Sequence, residues 1–424
     1  GRVDVAAANA VNRIVHTDAV NSEVNGMLFA DVRDNTEYGM ARGYFRMHWA
    51  RSSGSDDNSG SQPRRGQWFG AGTSGLTTGG AYSNLQTGFQ ASEAYVQLGG
   101  FTGGRLTSFA GPNLTLNQTT LVQPSNGRVN QFAYTASLGN GMSLTAAVED
   151  AAELRSGIAG AVNANLDNNG TAANAANTGS ATVNNTPDLI ASFDIAQSWG
   201  TAKVAGVWHH VSTSPTDNVS AKEGWAVLGY TKINLPMIAA GDNLQLLAGY
   251  GEGTTGRTLG GNASDTGNNN NASFGFGNAQ WGQYDGVVYD VTTGGAYTRG
   301  DNNKLSLSKS WVMGAQFQHF FTPAVSAYIA GSYGAIDYSS AARNAGVVAG
   351  GGAPAGGADP RNPRNGTMWG TELGVIWTPI TGLEISPSVA YKKASMDRTP
   401  FTVCPTSGYK VDKCSDDMVT GRLR

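Results

Sequence analysis

No stretch of about 18 apolar residues occurs in this 424-residue chain, so it encodes no membrane-crossing helix. Charge is scarce: Asp, Glu, Lys and Arg make up 14% of the residues and leave a net charge of −3, no basic footprint for nucleic acid. Cysteine is nearly absent. Cys404 and Cys414 lie in the polar stretch CPTSGYKVDKC, with no further Cys or His nearby to complete a metal site. In an oxidising compartment the pair is expected to form a local loop disulfide, worth roughly 3 kcal/mol by chain entropy. A nucleophile elbow, a phosphate-binding loop and a dinucleotide fingerprint are all missing; GAGTSG at 70–75 has neither a lysine nor a helix after it. Catalysis, cofactors and metals are therefore not expected. No charged segment followed by an apolar one opens the chain at Gly1, so no signal peptide is expected here and the chain is expected to be mature or to start inside the mature sequence.

What is abundant is glycine, 59 residues of 424, in a chain that is 40% hydrophobic. Its mean hydropathy is −0.27. Low charge with high glycine departs from the usual soluble enzyme. The stretch GMLFADVRDNTEYGMARGYFRMHWAR, residues 26–51, sets the pattern. At period two, Phe45, Met47 and Trp49 share one face, and Arg42, Tyr44, Arg46 and His48 the other. Leu28, Ala30 and Val32 likewise oppose Asp31 and Arg33, and 34–39 between them carries turn chemistry, so the segment reads as an antiparallel hairpin. A soluble sandwich alternates too, but its second face has no reason to repeat arginine. An arginine turned toward mid-bilayer lipid costs about 2–4 kcal/mol, whereas one facing a wet lumen costs little. The pattern predicts an all-β fold: one transmembrane antiparallel β-barrel of about 16 strands over residues 1–424.

Further along, the chain repeats the motif. Gly1–Asn9 reads as a first strand, and Ala94, Val96 and Leu98 alternate with Glu93, Tyr95 and Gln97. QFAYTASL and SLTAAVED flank a Gly139-Asn140-Gly141 turn, and similar hairpins follow to the closing DMVTGRLR. Short turns alternate with long polar connections, among them 112–128, 156–186, 254–309 and 341–365. Up-and-down barrels sort their loops in this way, with short periplasmic turns and long external loops. The chain shows no 20–50-residue repeat, which counts against solenoids and propellers.

Candidate site residues follow from parity. Arg33, Arg42 and Arg46 fall on the water face, and Arg105 lies on a strand of the same quarter; together they read as a basic ladder that selects solutes, or as charge that merely solvates a wall and pairs with Asp31 and Glu93. Tyr44 shares the face of Arg42 and Arg46. Glu93, Glu149, Glu372 and Glu384 are the acids facing inward. His209-His210 points to opposite faces of a strand and cannot chelate jointly, so a loop or interface position is expected. Trp49, Trp199, Trp208, Trp311 and Trp377 read as interface girdle or as ordinary core aromatics.

FADVRDNTEYGMARGYFRMHW, EAYVQLGGFTGGRLTSF and MVTGRLR resemble the alphaproteobacterial general porin family of the Rhizobium and Brucella type. The resemblance implies a sixteen-stranded homotrimeric barrel in the bacterial outer membrane that passes small hydrophilic solutes by diffusion. Its lipid partners would be outer-membrane lipid, lipopolysaccharide included. It also implies that the third external loop, here Pro112–Arg128, folds inward to narrow the lumen. Two features depart from the family pattern: that loop carries Arg128 and no acid, and the chain ends at Arg424 without an aromatic residue. An excess of arginine beside an acid-free loop implies a mild anion preference. The rival readings are a secreted or surface-attached all-β adhesin and a substrate-specific outer-membrane channel.

Overall fold

The computed structural model describes residues 22–53, 85–112, 121–150, 152, 154–159, 179–180, 186–213, 219–260, 284–290, 303–344, 365–397 and 415–423. In chain order its first hairpin is β1 (Ser22–Thr36) with β2 (Gly39–Ser53); β3 (Leu85–Leu98) with β4 (Phe101–Thr107) and β5 (Arg128–Gly139) with β6 (Met142–Glu149) come next. Two short strands follow, β7 (Gly157–Ala159) and β8 (Gly179–Ser180), and then β9 (Asp188–Gln197), β10 (Gly200–Val211), β11 (Lys222–Asn234) and β12 (Asn243–Glu252). Helix α1 (Thr255–Thr258), β13 (Tyr284–Asp290) and β14 (Asn303–Leu307) precede β15 (Lys309–Thr322), β16 (Val325–Asp337) and helix α2 (Ser340–Asn344). The last strands are β17 (Gly366–Ile380), β18 (Leu383–Ile385), β19 (Pro387–Met396) and β20 (Ser415–Leu423).

Fifteen of these strands lie on one continuous antiparallel path, β1-β2-β3-β4-β5-β6-β9-β10-β11-β12-β15-β16-β17-β19-β20, and β18 pairs with β17. The path follows sequence order, as an up-and-down meander must. Strand alternation decides which way each residue points. On β5, Val129, Gln131 and Ala133 are buried while Phe132 and Tyr134 are exposed; on β6, Thr145, Ala147 and Glu149 are buried while Leu144 and Val148 are exposed. Large apolar side chains also face outward on β9, β11, β16 and β17, as Leu189, Val227, Ile329 and Leu373 do, while Ser192, Tyr230, Ser326 and Glu372 of the same strands are buried. An outer surface of large apolar side chains fits lipid, not water.

Connections sort by end. At one end they run from two residues, as at 37–38, to eight at 235–242; at the other they run from ten at 212–221 to fifty-six at 253–308. The sheet is also strongly curled. Leu121 packs on β17, where a Cβ at Gly370 would lie 2.7 Å from its Cδ2. Leu121 is only seven residues from Arg128 on β5, a reach of about 24 Å. Eight strand steps separate β5 from β17, about 38 Å in a flat sheet. Only a wall that turns back on itself lets this connection touch both. Among the described strands β1 and β20 run in the same direction, so antiparallel closure takes one further strand between them. The Gly1–Asn9 strand expected from sequence lies outside the described residues, as does the Cys404–Cys414 pair.

The concave side is packed rather than empty over most of its arc. Ala110, Val122, Leu259 and Val287 from the connections form one apolar cluster with Ala205, Ala226, Leu228 and Leu247 of the wall. A four-stranded sheet, β14-β13-β7-β8, adds a second cluster of Ile158, Val211, Val288 and Leu305. The 254–309 connection, expected as an external loop, thus sends α1 and β13 inward, where Thr255, Arg257, Thr258, Val287 and Val288 are buried.

Candidate functional site

On β1–β3 the concave face is open and charged. Strand register sets it in rows: Arg33 opposes Arg42, which opposes Gln97; Asp31 opposes Tyr44, which opposes Tyr95; Phe29 opposes Arg46, which opposes Glu93. A bulge on β3 at Ser92, whose Oγ donates to the Arg46 carbonyl at 3.3 Å, shifts the pairing just beyond that third row. Bulges re-aim side chains; this one fixes where the Glu93 row ends.

Two arginine–carboxylate–arginine triads result. Arg42 donates from Nε and Nη2 to the two Asp31 oxygens, each at 2.9 Å, and Arg33 reaches the same carboxylate at 3.1 and 2.7 Å. Two residue positions along the strands, Arg46 Nη1 lies 3.3 Å and Arg128 Nε 2.6 Å from Glu93 Oε1. Four guanidiniums therefore meet two carboxylates, and each triad keeps one uncompensated positive charge. These groups are wet: the Arg33 side chain is 55% exposed and that of Arg128 35%. Inward-facing groups elsewhere are not; Lys203, Tyr230, Gln316, Tyr328, Glu372 and Lys392 are each at most 5% exposed. Among the described residues the open part of the lumen follows the β1–β3 wall.

Two connections close off the rest. Residues 108–112 and 121–127 cross the concave side, where Tyr230 Oη donates to the Ala110 carbonyl at 3.2 Å and Lys203 Nζ to that of Gly111 at 3.3 Å. Helix α1 is pinned by Arg257, which is buried with its guanidinium 2.6 Å from Asp188, 3.0 Å from Glu149 and 3.1 Å from Ser108 Oγ. His209 joins the network, 2.6 Å from Asp188 and 4.0 Å from Asp285. Asp285 accepts from the backbone of Ser156 and of Thr255, both at 2.6 Å, and from Thr255 Oγ1 at 2.8 Å. Its complete burial pushes the carboxyl up to about 6.

Of the residues singled out from sequence, Asp31, Arg33, Arg42, Tyr44, Arg46, Glu93 and Arg128 come together on this wall. Arg105 does not. Its partners in register are Ala94 and Asn130, a different row from that of either triad. RLTSFAG fixes no phase by itself; only pairing to β3 does. Glu149 and Glu372 face inward but are buried, Glu372 accepting from Tyr328 Oη at 2.8 Å, and Glu384 sits exposed by the 381–382 turn. His209 and His210 lie within β10, not in a loop; His209 is buried and His210 is 3.1 Å from Glu223 on the other face. Sequence reasoning passed over Phe29 and Tyr95, although Tyr95 shares the period-two phase of Glu93. It also missed Arg257, which no local pattern marks.

Comparison with known proteins agrees with this architecture. The structure of the outer membrane channel DcaP of Acinetobacter baumannii aligns with a TM-score of 0.51 at 12% identity, covering 97% of each chain. Pseudomonas putida OprB aligns with a TM-score of 0.44 at 9% identity, covering 95% of this chain and 91% of that one. The anion-selective porin from Comamonas acidovorans gives 0.35 at 9%, with 88% and 90% covered. No curated protein matches the chain. The model of the Porin subfamily matches residues 2–422. With a curled up-and-down sheet, an apolar outer surface and an open charged wall inside, the chain belongs to the Porin subfamily and is a passive diffusion channel of the bacterial outer membrane.

Proposed function

We propose that this porin filters small hydrophilic solutes by size and by charge, with a preference for anions. The observation that carries the reading is the pair of triads on the open wall, four guanidiniums against two carboxylates. In water, a unit charge about 6 Å from a passing ion is worth about 0.7 kcal/mol, roughly threefold in permeability. The 112–128 connection supplies the size limit; its described residues lie inside the barrel and hold no carboxylate to offset the arginines. We read the assembly as a homotrimer of the alphaproteobacterial general type, on the strength of the hairpin and closing motifs. Lys393, opposite Trp369 on the outer face, supports lipopolysaccharide as a lipid neighbour.

The test is the reversal potential of purified channels in a potassium chloride gradient. Chloride preference is expected in the wild type, falling about threefold in permeability ratio for each of Arg42→Gln and Arg46→Gln. A wild-type channel that prefers potassium would overturn the reading.

A further inference from the structure

Arg46 divides its guanidinium between two unequal acceptors. Nη1 lies 3.3 Å from Glu93 Oε1, and Nη2 donates to the Met27 sulfur at 2.7 Å. The thioether is a weak acceptor and carries no charge to set against the guanidinium. Met27 opposes His48 in register, and Phe29 opposes Arg46, so the contact runs diagonally across the β1–β2 ladder, within reach of two long side chains. Met27 shares the period-two phase of Phe29, Asp31 and Arg33, the open inward face of the wall. It is 58% exposed there, with its sulfur against a guanidinium that sets part of the charge balance.

What such exposure means depends on the side of the sheet. Met313 on β15 is 53% exposed, close to the value for Met27, but its neighbour Val312 is buried and its partner in register, Tyr333, lies on the apolar outer surface. Lipid covers Met313, whereas water and its solutes reach Met27. Met237, in the 235–242 connection, is exposed beyond the wall strands. A water-borne peroxide thus finds Met27 and Met237 before Met313. In the reaction the sulfur lone pair attacks one peroxide oxygen, the O–O bond breaks and an S–O bond forms. The proton of the attacked oxygen passes to the other, which leaves as water. Sulfur is oxidised by two electrons and the peroxide is reduced by the same two. The product is a polar sulfoxide, whose oxygen carries partial negative charge on the side chain that already meets Arg46.

We propose that Met27 is a reversible oxidation site through which peroxide-class oxidants in the lumen weaken the anion preference. In the sulfoxide state Arg46 Nη2 donates to the new oxygen, whose partial charge stands where passing anions meet the guanidinium. About half a unit charge lowers the permeability ratio about twofold, against about threefold for losing the whole charge of Arg46. Methionine sulfoxide is reduced enzymatically, by one reductase for each epimer, so the change is reversible. This inference rests on the reading of β1–β3 as a wet, net-positive wall, and it adds a modification that tunes that wall.

The experiment treats proteoliposomes of the purified protein with hydrogen peroxide and maps methionine sulfoxide by peptide mass spectrometry. The same channels, fused to planar bilayers, give the reversal potential in a potassium chloride gradient. Met27 and Met237 are expected to oxidise together and ahead of Met313. The chloride-to-potassium permeability ratio should fall about twofold and return after treatment with both methionine sulfoxide reductases. Met40 is exposed in the inward phase of β2, so the variants decide which sulfur acts. Met27→Leu should abolish the peroxide response, and Met27→Gln should sit at the oxidised ratio without peroxide. A fall that persists in Met27→Leu, or an unmoved ratio with Met27 oxidised, overturns the proposal and leaves the wall as described. Met27 as resistant as Met313 overturns it by removing the wet wall beneath it, and the untreated ratio separately tests the charge of that wall.

Discussion

Asp31 holds two guanidiniums at once, and that single carboxylate sets the charge balance of the upper triad. Replacing it by asparagine keeps the size and an acceptor oxygen but leaves Arg33 and Arg42 both uncompensated. Asp31→Asn should raise the chloride-to-potassium permeability ratio about threefold, read from the reversal potential. Arg257 makes the opposite case, since it is buried and its loss leaves Asp188 and Glu149 as unpaired charges. Arg257→Met should cost about 3–5 kcal/mol, seen as a lowered thermal transition in detergent. These two arginines also mark how far the site was legible. Arg42 sits in a strand whose alternation is visible within ten residues, so its face follows from the text of the chain. Arg257 lies in a Gly/Asn-rich stretch with no period, and one of its partners, Ser108, is 149 positions away. Nothing local encodes that meeting. Arg105 fell between these cases: its strand was legible but its phase against β3 was not.

The inward-folded connections behave as elements with their own stability. β13 is held through Asp285, to which Ser156 and Thr255 donate. Burial raises that carboxyl to about 6 from an ordinary 3.8, so the docked state binds the proton more tightly than the undocked one. Its contribution is fully present below pH 3.8 and is lost as pH rises through about 6. Amide exchange at Ser156 and Thr255, corrected for intrinsic rate, should therefore speed up across that window. In Asp285→Asn the step should vanish, with lower protection throughout because one acceptor is gone. Sequence alone presents 254–309 as a plain connection, because α1 is one turn long and β13 and β14 find their partners only inside the barrel. The long wall strands, by contrast, announce themselves: exposure alternates along them at period two, with Leu, Val, Ile or Phe recurring on the outer face.

At the scale of the molecule, the alternation of short and long connections is enough to read the meander and its two ends, since hairpin order and loop parity are one-dimensional facts. Curvature is not, and the filling of the concave side came from contacts such as Leu121 on Gly370. If the assembly is a homotrimer, unheated protein in dodecyl sulfate should migrate as a heat-labile oligomer and collapse to monomer on boiling. Migration as monomer at every temperature, with monomers alone in cross-linking, would remove the trimer reading.

Among the described residues the open inward face is the charged wall of β1–β3, and the consequence concerns dipolar solutes. A molecule bearing both an ammonium and a carboxylate meets guanidiniums on that wall. It travels with its acidic end held to β1–β3. Throughput for amino-acid-like cargo then depends on how readily the molecule swings into that pose, so two isomers of equal bulk and zero net charge should cross at different speeds.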